Sequence, residues 1–152
     1  MNTAPPIALT IAGSDCSGGA GLQADLKTFQ SFGVHGLSAL TSVVAESPLE
    51  VRQVEPISIP LLQDQINILI ETYPITAIKI GLLPSRCCVI AVTESIRELN
   101  IPIVIDPVMV SSTGNQLTDD ETSTTFIQRL LPMATLITPN IPEAELILGE
   151  RI

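Results

Sequence analysis

The stretch IAGSDCSGGAGLQADL, residues 11–26, has almost no large side chain in its first half and a carboxylate, Asp25, once helical spacing has begun. Small residues in series let a backbone come close to a ligand, and the loop from Gly13 to Gly19 feeds bare N–H groups into a helix start. Asp25, about one turn into that helix, either faces back toward such a pocket or is a solvated residue behind a tight turn. Glu46 ends the run VVAE and either offers a ligand an acceptor or marks a strand exit, with Pro48 restricting Ser47 to extended or turn geometry. Lys79 in AIKIGLL is a charge inside an apolar run, so it needs a partner or a route to water; a pocket or ion-pair role is expected. Asp106 ends IVID ahead of Pro107. In TPNIPEAE, Asn140 and Glu143 have the donor types that suit a hydrated magnesium ion and a phosphate, and equally the spacing of a helix capping box.

Other chemistries are set aside. Gly19-x-Gly21-x-x-Ala24 matches the dinucleotide pattern in form, but Gly19 lies seven positions after Ala12, the expected strand end, whereas that motif begins where the strand stops. No Gly-Lys-Ser/Thr closes a Walker loop. Cys16, Cys87 and Cys88 are odd in number and lack zinc spacing. His35 is the only histidine and falls in a loop, where a surface role is expected. The net charge of −9 is the wrong sign for a nucleic-acid partner or an anionic membrane. No apolar run reaches the roughly 18 residues of a membrane span, and the first residues lack a basic signal-peptide region. A cytoplasmic protein is expected.

The elements that must position these residues follow from periodicity. The chain is 45% hydrophobic but only 3% aromatic, which implies an aliphatic core suited to buried parallel strands. Strands are expected at 7–12, 37–45, within 51–59, and at 75–83, 101–106 and 134–140. Helices are expected at 20–32, 60–72, 84–99, 118–131 (Thr118 as N-cap and Glu121 completing a capping box) and 141–149, with a polar loop at 111–118 around Gly114. This alternation predicts one α/β domain over 1–152, three-layer α/β/α, with a mostly parallel sheet and helices on both faces. Ligands bind such sheets beyond the carboxyl ends of the strands, where the polar residues above fall.

ALTIAGSDCSGGAGLQADLKTFQSFGVHGLSALTSVVAE, AIKIGLL, IVIDPVMVSSTG and LITPNIPEAE together resemble the hydroxymethylpyrimidine/phosphomethylpyrimidine kinases of thiamin biosynthesis, with their ribokinase-like fold. The likeness runs from about Ile7 to Gly149 in the same motif order. It implies ATP-dependent phosphorylation of a hydroxymethylpyrimidine and its monophosphate. Gly13 and the loop holding Gly19 and Ala20 would border the pyrimidine pocket, and Asp25 would hold the hydroxymethyl-bearing substrate. Val44 and Glu46 would read the ring edge, Leu82 would pack on the ring and Val108 would line the pocket. Lys79, Asp106, Asn140 and Glu143 are assigned to the cofactor side, with Asn140 and Glu143 organising magnesium and the ATP phosphates.

Two departures qualify the resemblance. The family commonly has Gln where this chain has Glu46, which keeps pyridoxal kinase of the same superfamily as an alternative. The family's chain also continues into a Gly-Thr-Gly-Cys-type anion hole that is absent from these 152 residues. The sequence therefore reads as an amino-terminal, truncated portion, with little or no turnover expected of it alone. A non-catalytic pyrimidine-binding remnant is the reading from another class, and sizeable NAD(P) affinity would revive a dinucleotide-binding oxidoreductase. Exposed sheet edges in such a portion predict pairing, and a homodimer is expected.

Overall fold

Short aliphatic runs separated by helical segments give the chain a series of crossovers, and crossovers make parallel strands. The computed structural model describes residues 4–47, 49–110 and 116–152. Its strands are β1 (Ile7–Asp15), β2 (His35–Ser47), β3 (Glu50–Pro56), β4 (Ala77–Ile80), β5 (Ile103–Ile105) and β6 (Leu136–Ile137). Its helices are α1 (Gly21–Ser31), α2 (Ile59–Thr72), α3 (Arg86–Ile96), α4 (Asp120–Thr125) and α5 (Ile141–Leu148). Among the described residues the strands form one sheet in the order β3-β2-β1-β4-β5-β6. Every neighbouring pair is parallel except β2 with β3. The α/β class and the mostly parallel sheet are as expected.

Alternation along β1 separates the two faces of the sheet. Leu9 and Ile11 join Ile78, Ile80, Ile103 and Ile105 in a cluster with Leu62 and Ile66 of α2 and Val89 and Val92 of α3. Thr10, between them, faces the other way and hydrogen-bonds to Asp25 of α1. One face is thus an aliphatic core, and the other carries small and polar residues under α1, none of whose residues is fully buried. Cys88 is buried and Cys87 exposed, so one of the pair faces the core as expected. His35 is exposed at the start of β2.

The boundaries differ from the periodic reading where the site begins. β1 does not stop at Ala12. It continues through Gly13 and Ser14 to Asp15, still paired with β2 at Val43 and Val44, so the free loop is shorter than the Gly13–Gly19 segment expected. β4, β5 and β6 are shorter at both ends than expected. Thr118 is not the N-cap of α4. Asp119 is, its carboxylate accepting the Thr122 N–H at 2.7 Å, while Thr118 Oγ1 lies 2.9 Å from Ser123 Oγ. The expected capping box does not form; Glu121 instead pairs with Arg86 at 3.2 Å. The helix then continues as a π turn (Phe126–Leu130) and a 3₁₀ turn (Leu131–Met133). Pro48 and most of the 111–118 loop, including Gly114, lie outside the described residues.

The core makes a quantitative expectation. Ile80 is fully buried in β4, and Ile80→Ala is expected to cost about 3 kcal/mol through lost burial and a residual cavity. Leu61, half exposed on α2, is expected to cost under about 0.5 kcal/mol on the same change. Urea unfolding of both variants checks the contrast.

Candidate active site

A cavity of about 490 Å³ opens at the carboxyl ends of β1, β2, β4 and β5. Of the residues singled out in the sequence, Gly13, Ala20, Val44, Glu46, Lys79, Leu82, Asp106 and Val108 line it together. Lys79 and Asp106, expected on the cofactor side, share this cavity with the residues expected to touch the acceptor. Gly19 and Asp25 lie just behind the lining, and Asn140 and Glu143 lie outside it. Sequence reasoning missed the outer wall, where β3 contributes Val51, Val54 and Pro56. Only the antiparallel return of β3 beside β2 brings them there.

Two glycines make room at the mouth. A Cβ on Gly13 would sit 2.8 Å from Ser42 Oγ and 3.3 Å from Leu82 Cδ2, so a side chain there would push on the cavity wall. Gly21 opens α1 at φ +57°, and a Cβ would lie 2.5 Å from the Gly13 carbonyl oxygen. The start of α1 is therefore pressed against the end of β1, a packing that only glycine permits.

The floor is charged. Lys79 Nζ donates to Asp25 Oδ2 at 3.1 Å and lies 3.8 Å from Asp106 Oδ2. Thr10 Oγ1 donates to the same Asp25 oxygen at 2.6 Å. Thr10 and Lys79 are paired across β1 and β4, and α1 hangs Asp25 over them. Burial pushes the Asp106 carboxyl above the ordinary range, the nearby Lys79 ammonium opposing it. An ammonium has three donors, and two of the directions around Lys79 face carboxylates.

Asp15, also missed, organises the loop. It is buried at the end of β1, and its carboxylate accepts from the backbone N–H groups of Ser17 (2.7 Å), Gly19 (2.9 Å) and Ala20 (2.7 Å) and from Ser17 Oγ (2.9 Å). The Ser17 hydroxyl and these N–H groups hold its carboxyl below the usual range. The signal was present as Asp-x-Ser, the pattern of an Asx turn. Its consequence is that the Gly19 and Ala20 N–H groups already have a partner.

Glu46 is the exception among the charged residues of the lining. Among the described residues, nothing donates to its carboxylate and no cation pairs with it. Burial, and secondarily the charge of Asp15, pushes it above the ordinary range. Cys16 Sγ lies 3.1 Å from the Glu46 carbonyl oxygen. A second cavity of about 310 Å³ lies between Cys16, Glu46, Glu50 and Arg52.

Asn140 and Glu143 form the capping box of α5. Asn140 Oδ1 accepts the Glu143 N–H and Glu143 Oε2 accepts the Asn140 N–H, each at 2.9 Å. The same pair grips the segment after β5: Asn140 Nδ2 donates to the Val110 carbonyl at 2.9 Å and Glu143 Oε1 accepts the Met109 N–H at 3.3 Å. Glu143 is only 3% exposed, and burial pushes its carboxyl upward against those N–H groups. Each oxygen of the pair already accepts a backbone proton. The capping alternative left open in the sequence is therefore formed, and each of these oxygens keeps a further lone pair beside its N–H contact. Among the described residues no three His, Cys, Asp or Glu side chains cluster as a metal site, and no helix is long and apolar enough to cross a membrane.

The fold and the cavity at its strand ends define the ribokinase-like class of α/β kinases. Within that class the chain belongs to the phosphomethylpyrimidine kinase family, whose model matches residues 15–152. It is 47% identical over 140 residues to a putative hydroxymethylpyrimidine/phosphomethylpyrimidine kinase of Schizosaccharomyces pombe, covering 91% of this chain and 25% of that protein. The crystal structure of phosphomethylpyrimidine kinase from Clostridium difficile is 42% identical and superposes with a TM-score of 0.92, over 97% of this chain and 64% of that one. The pyridoxal kinase of Staphylococcus aureus in complex with pyridoxal is 35% identical, with a TM-score of 0.86, over 99% of this chain and 56% of that one. The same kinase has also been solved with ADP. The chain spans about half the length of the bacterial curated relatives it matches.

Two outcomes are expected at the charged floor. Lys79→Met leaves two partly buried carboxylates without their cation and costs about 3 kcal/mol; adding Asp25→Asn recovers part of that loss, which a double-mutant cycle in urea measures. Asp106 titrates above its ordinary range, so the folded chain holds that proton more tightly than the unfolded chain. Its contribution to stability rises as pH falls from above the raised value to below the ordinary one. Asp106→Asn removes this slope, so the difference in unfolding free energy between wild type and variant moves in favour of wild type as pH falls.

Proposed function

We propose that these 152 residues form the acceptor side of a kinase that phosphorylates 4-amino-5-hydroxymethyl-2-methylpyrimidine and its monophosphate, with ATP as donor and magnesium as its counter-ion. The observation that carries this reading is the cavity itself. Aliphatic walls from Val44, Val54, Leu82 and Val108 suit a flat ring, and one end holds the Lys79–Asp25–Asp106 cluster. The ring would lie between those walls with its hydroxymethyl group toward the cluster. The remaining Lys79 donor would meet the acceptor hydroxyl or, in the monophosphate, an anionic oxygen. Asp25 fixes the ammonium and Asp106 adds an acceptor nearby. The roles of Gly13, Gly19 and Ala20 are to let the loop come close, and that of Asn140 and Glu143 is to hold the segment carrying Val108.

Phosphoryl transfer rests on positioning and on stabilising charge at the transferred group. The lining described here supplies one cation, so turnover by the 152-residue chain alone is proposed to be low. Pyridoxal kinase is the second reading, favoured by the Staphylococcus aureus likeness.

Calorimetric titration with the hydroxymethylpyrimidine and with pyridoxal, followed by ADP release under Mg-ATP, tests these readings. The expected result is saturable pyrimidine binding with little ADP formed, and binding weakened about tenfold to a hundredfold by Asp25→Asn. Tighter binding of pyridoxal would replace the first reading with the second, and rapid ADP release would overturn the expectation of low turnover.

A further inference from the structure

Glu46 presents an ionisable acceptor to an otherwise aliphatic stretch of cavity wall. It stands on β2 two residues after Val44, and both line the cavity opposite β3. Among the described residues, the charged groups around it offer it no partner. Asp15 at the end of β1 is turned into its own loop and is anionic. Glu50 on β3 takes Arg52, at 2.6 Å. Lys79 on β4 is held by Asp25 and Asp106, and Cys16 Sγ faces the Glu46 carbonyl rather than its carboxylate.

An unpartnered carboxylate constrains the ligand. The edge of a neutral 4-aminopyrimidine presents a donor, the exocyclic amine, next to an acceptor, the ring nitrogen. An ionised carboxylate has two acceptors and no donor, so one of the two contacts sets lone pair against lone pair. In a desolvated pocket that mismatch costs more than it would in water. A single proton repairs it. Placed on the ring nitrogen, it makes a two-donor amidinium-like edge that a carboxylate grips bidentately; placed on Glu46, it makes a donor–acceptor pair. Both describe the same proton shared between the two atoms.

From this we infer that the pocket binds its aminopyrimidine together with one additional proton, shared between Glu46 and the ring nitrogen, so that Glu46 selects ligands with a protonatable ring nitrogen beside an amine. The inference rests on the acceptor-pocket reading above. The raised position of the Glu46 carboxyl agrees with a group that holds a proton readily.

The test is calorimetric titration of the wild-type chain and of Glu46→Gln with 4-amino-5-hydroxymethyl-2-methylpyrimidine, in buffers of different ionisation enthalpy and across a pH series. The wild-type chain is expected to take up about one proton per ligand near neutral pH, with affinity falling toward tenfold per pH unit as pH rises. Glu46→Gln supplies its own donor and is expected to show almost no uptake and a flat pH profile. Binding by wild type without proton uptake overturns the inference while leaving the pocket reading intact. Uptake undiminished in Glu46→Gln also overturns it, because the proton then belongs to another group. Failure of both chains to bind the pyrimidine removes the pocket reading, and this inference with it.

Discussion

A charge in the middle of a parallel sheet has to be neutralised by whatever can reach it, and in this chain that requirement falls on Lys79. The aliphatic cluster of the opposite face leaves it no partner there. Its neighbours on its own face are Thr10 across the ladder, Asp25 from α1 and Asp106 from the end of β5. The demand of one ammonium therefore fixes the position of α1 over β1 and of the segment after β5. On α1, none of whose residues is fully buried, this polar anchor adds to the half-buried Leu26 and Phe29, which pack on Gly36 of β2. Two side chains of that anchor, Lys79 and Asp106, also line the cavity.

The acidic residues of the site sort by what donates to them. Asp15 and Glu143 are engaged by backbone N–H groups, Asp15 also by the Ser17 hydroxyl, and act through the segments they hold, the loop to Ala20 and the Met109–Val110 stretch. Asp25 and Asp106 share a cation. Glu46 has no donor among the described residues. This gradation follows chain geometry rather than residue type, and it separates groups that shape the cavity from groups left free to meet what enters it.

Much of this was legible in the sequence. Alternating aliphatic runs and helical periods gave the α/β order, because a buried parallel strand and an amphipathic helix have different periods. The isolated charge in AIKIGLL announced a partner, and the structure supplies two. The Asn140–Glu143 spacing announced a capping box, and its side chains form one. What was not legible depended on pairing. β1 extends beyond Ala12 because Ser14 and Asp15 find partners in β2, which no local pattern records. Asp15 looked like one more small polar residue of a loop until three backbone N–H groups converged on it. The walls given by Val51, Val54 and Pro56 come from a strand in which every residue is exposed, so burial patterning had no purchase.

The pairing of β1 with β2 also sets which side chains face the cavity. The register passes from Ala12 opposite Leu40 to Ser14 opposite Val43, so β2 carries one residue more than β1 across Gly13. Leu37 and Ala39 are buried before that point, and Val44 is buried after it while Val43 is half exposed. The pleat has changed phase. Had it not, Val43 and Ala45 would occupy the places of Val44 and Glu46. The extra residue acts as a frameshift written in three dimensions: it slides the rest of β2 one place along β1 and so sets a carboxylate rather than an alanine at the cavity wall. Chemical identity at this pocket is thus encoded as much in the length of a strand as in the letters along it.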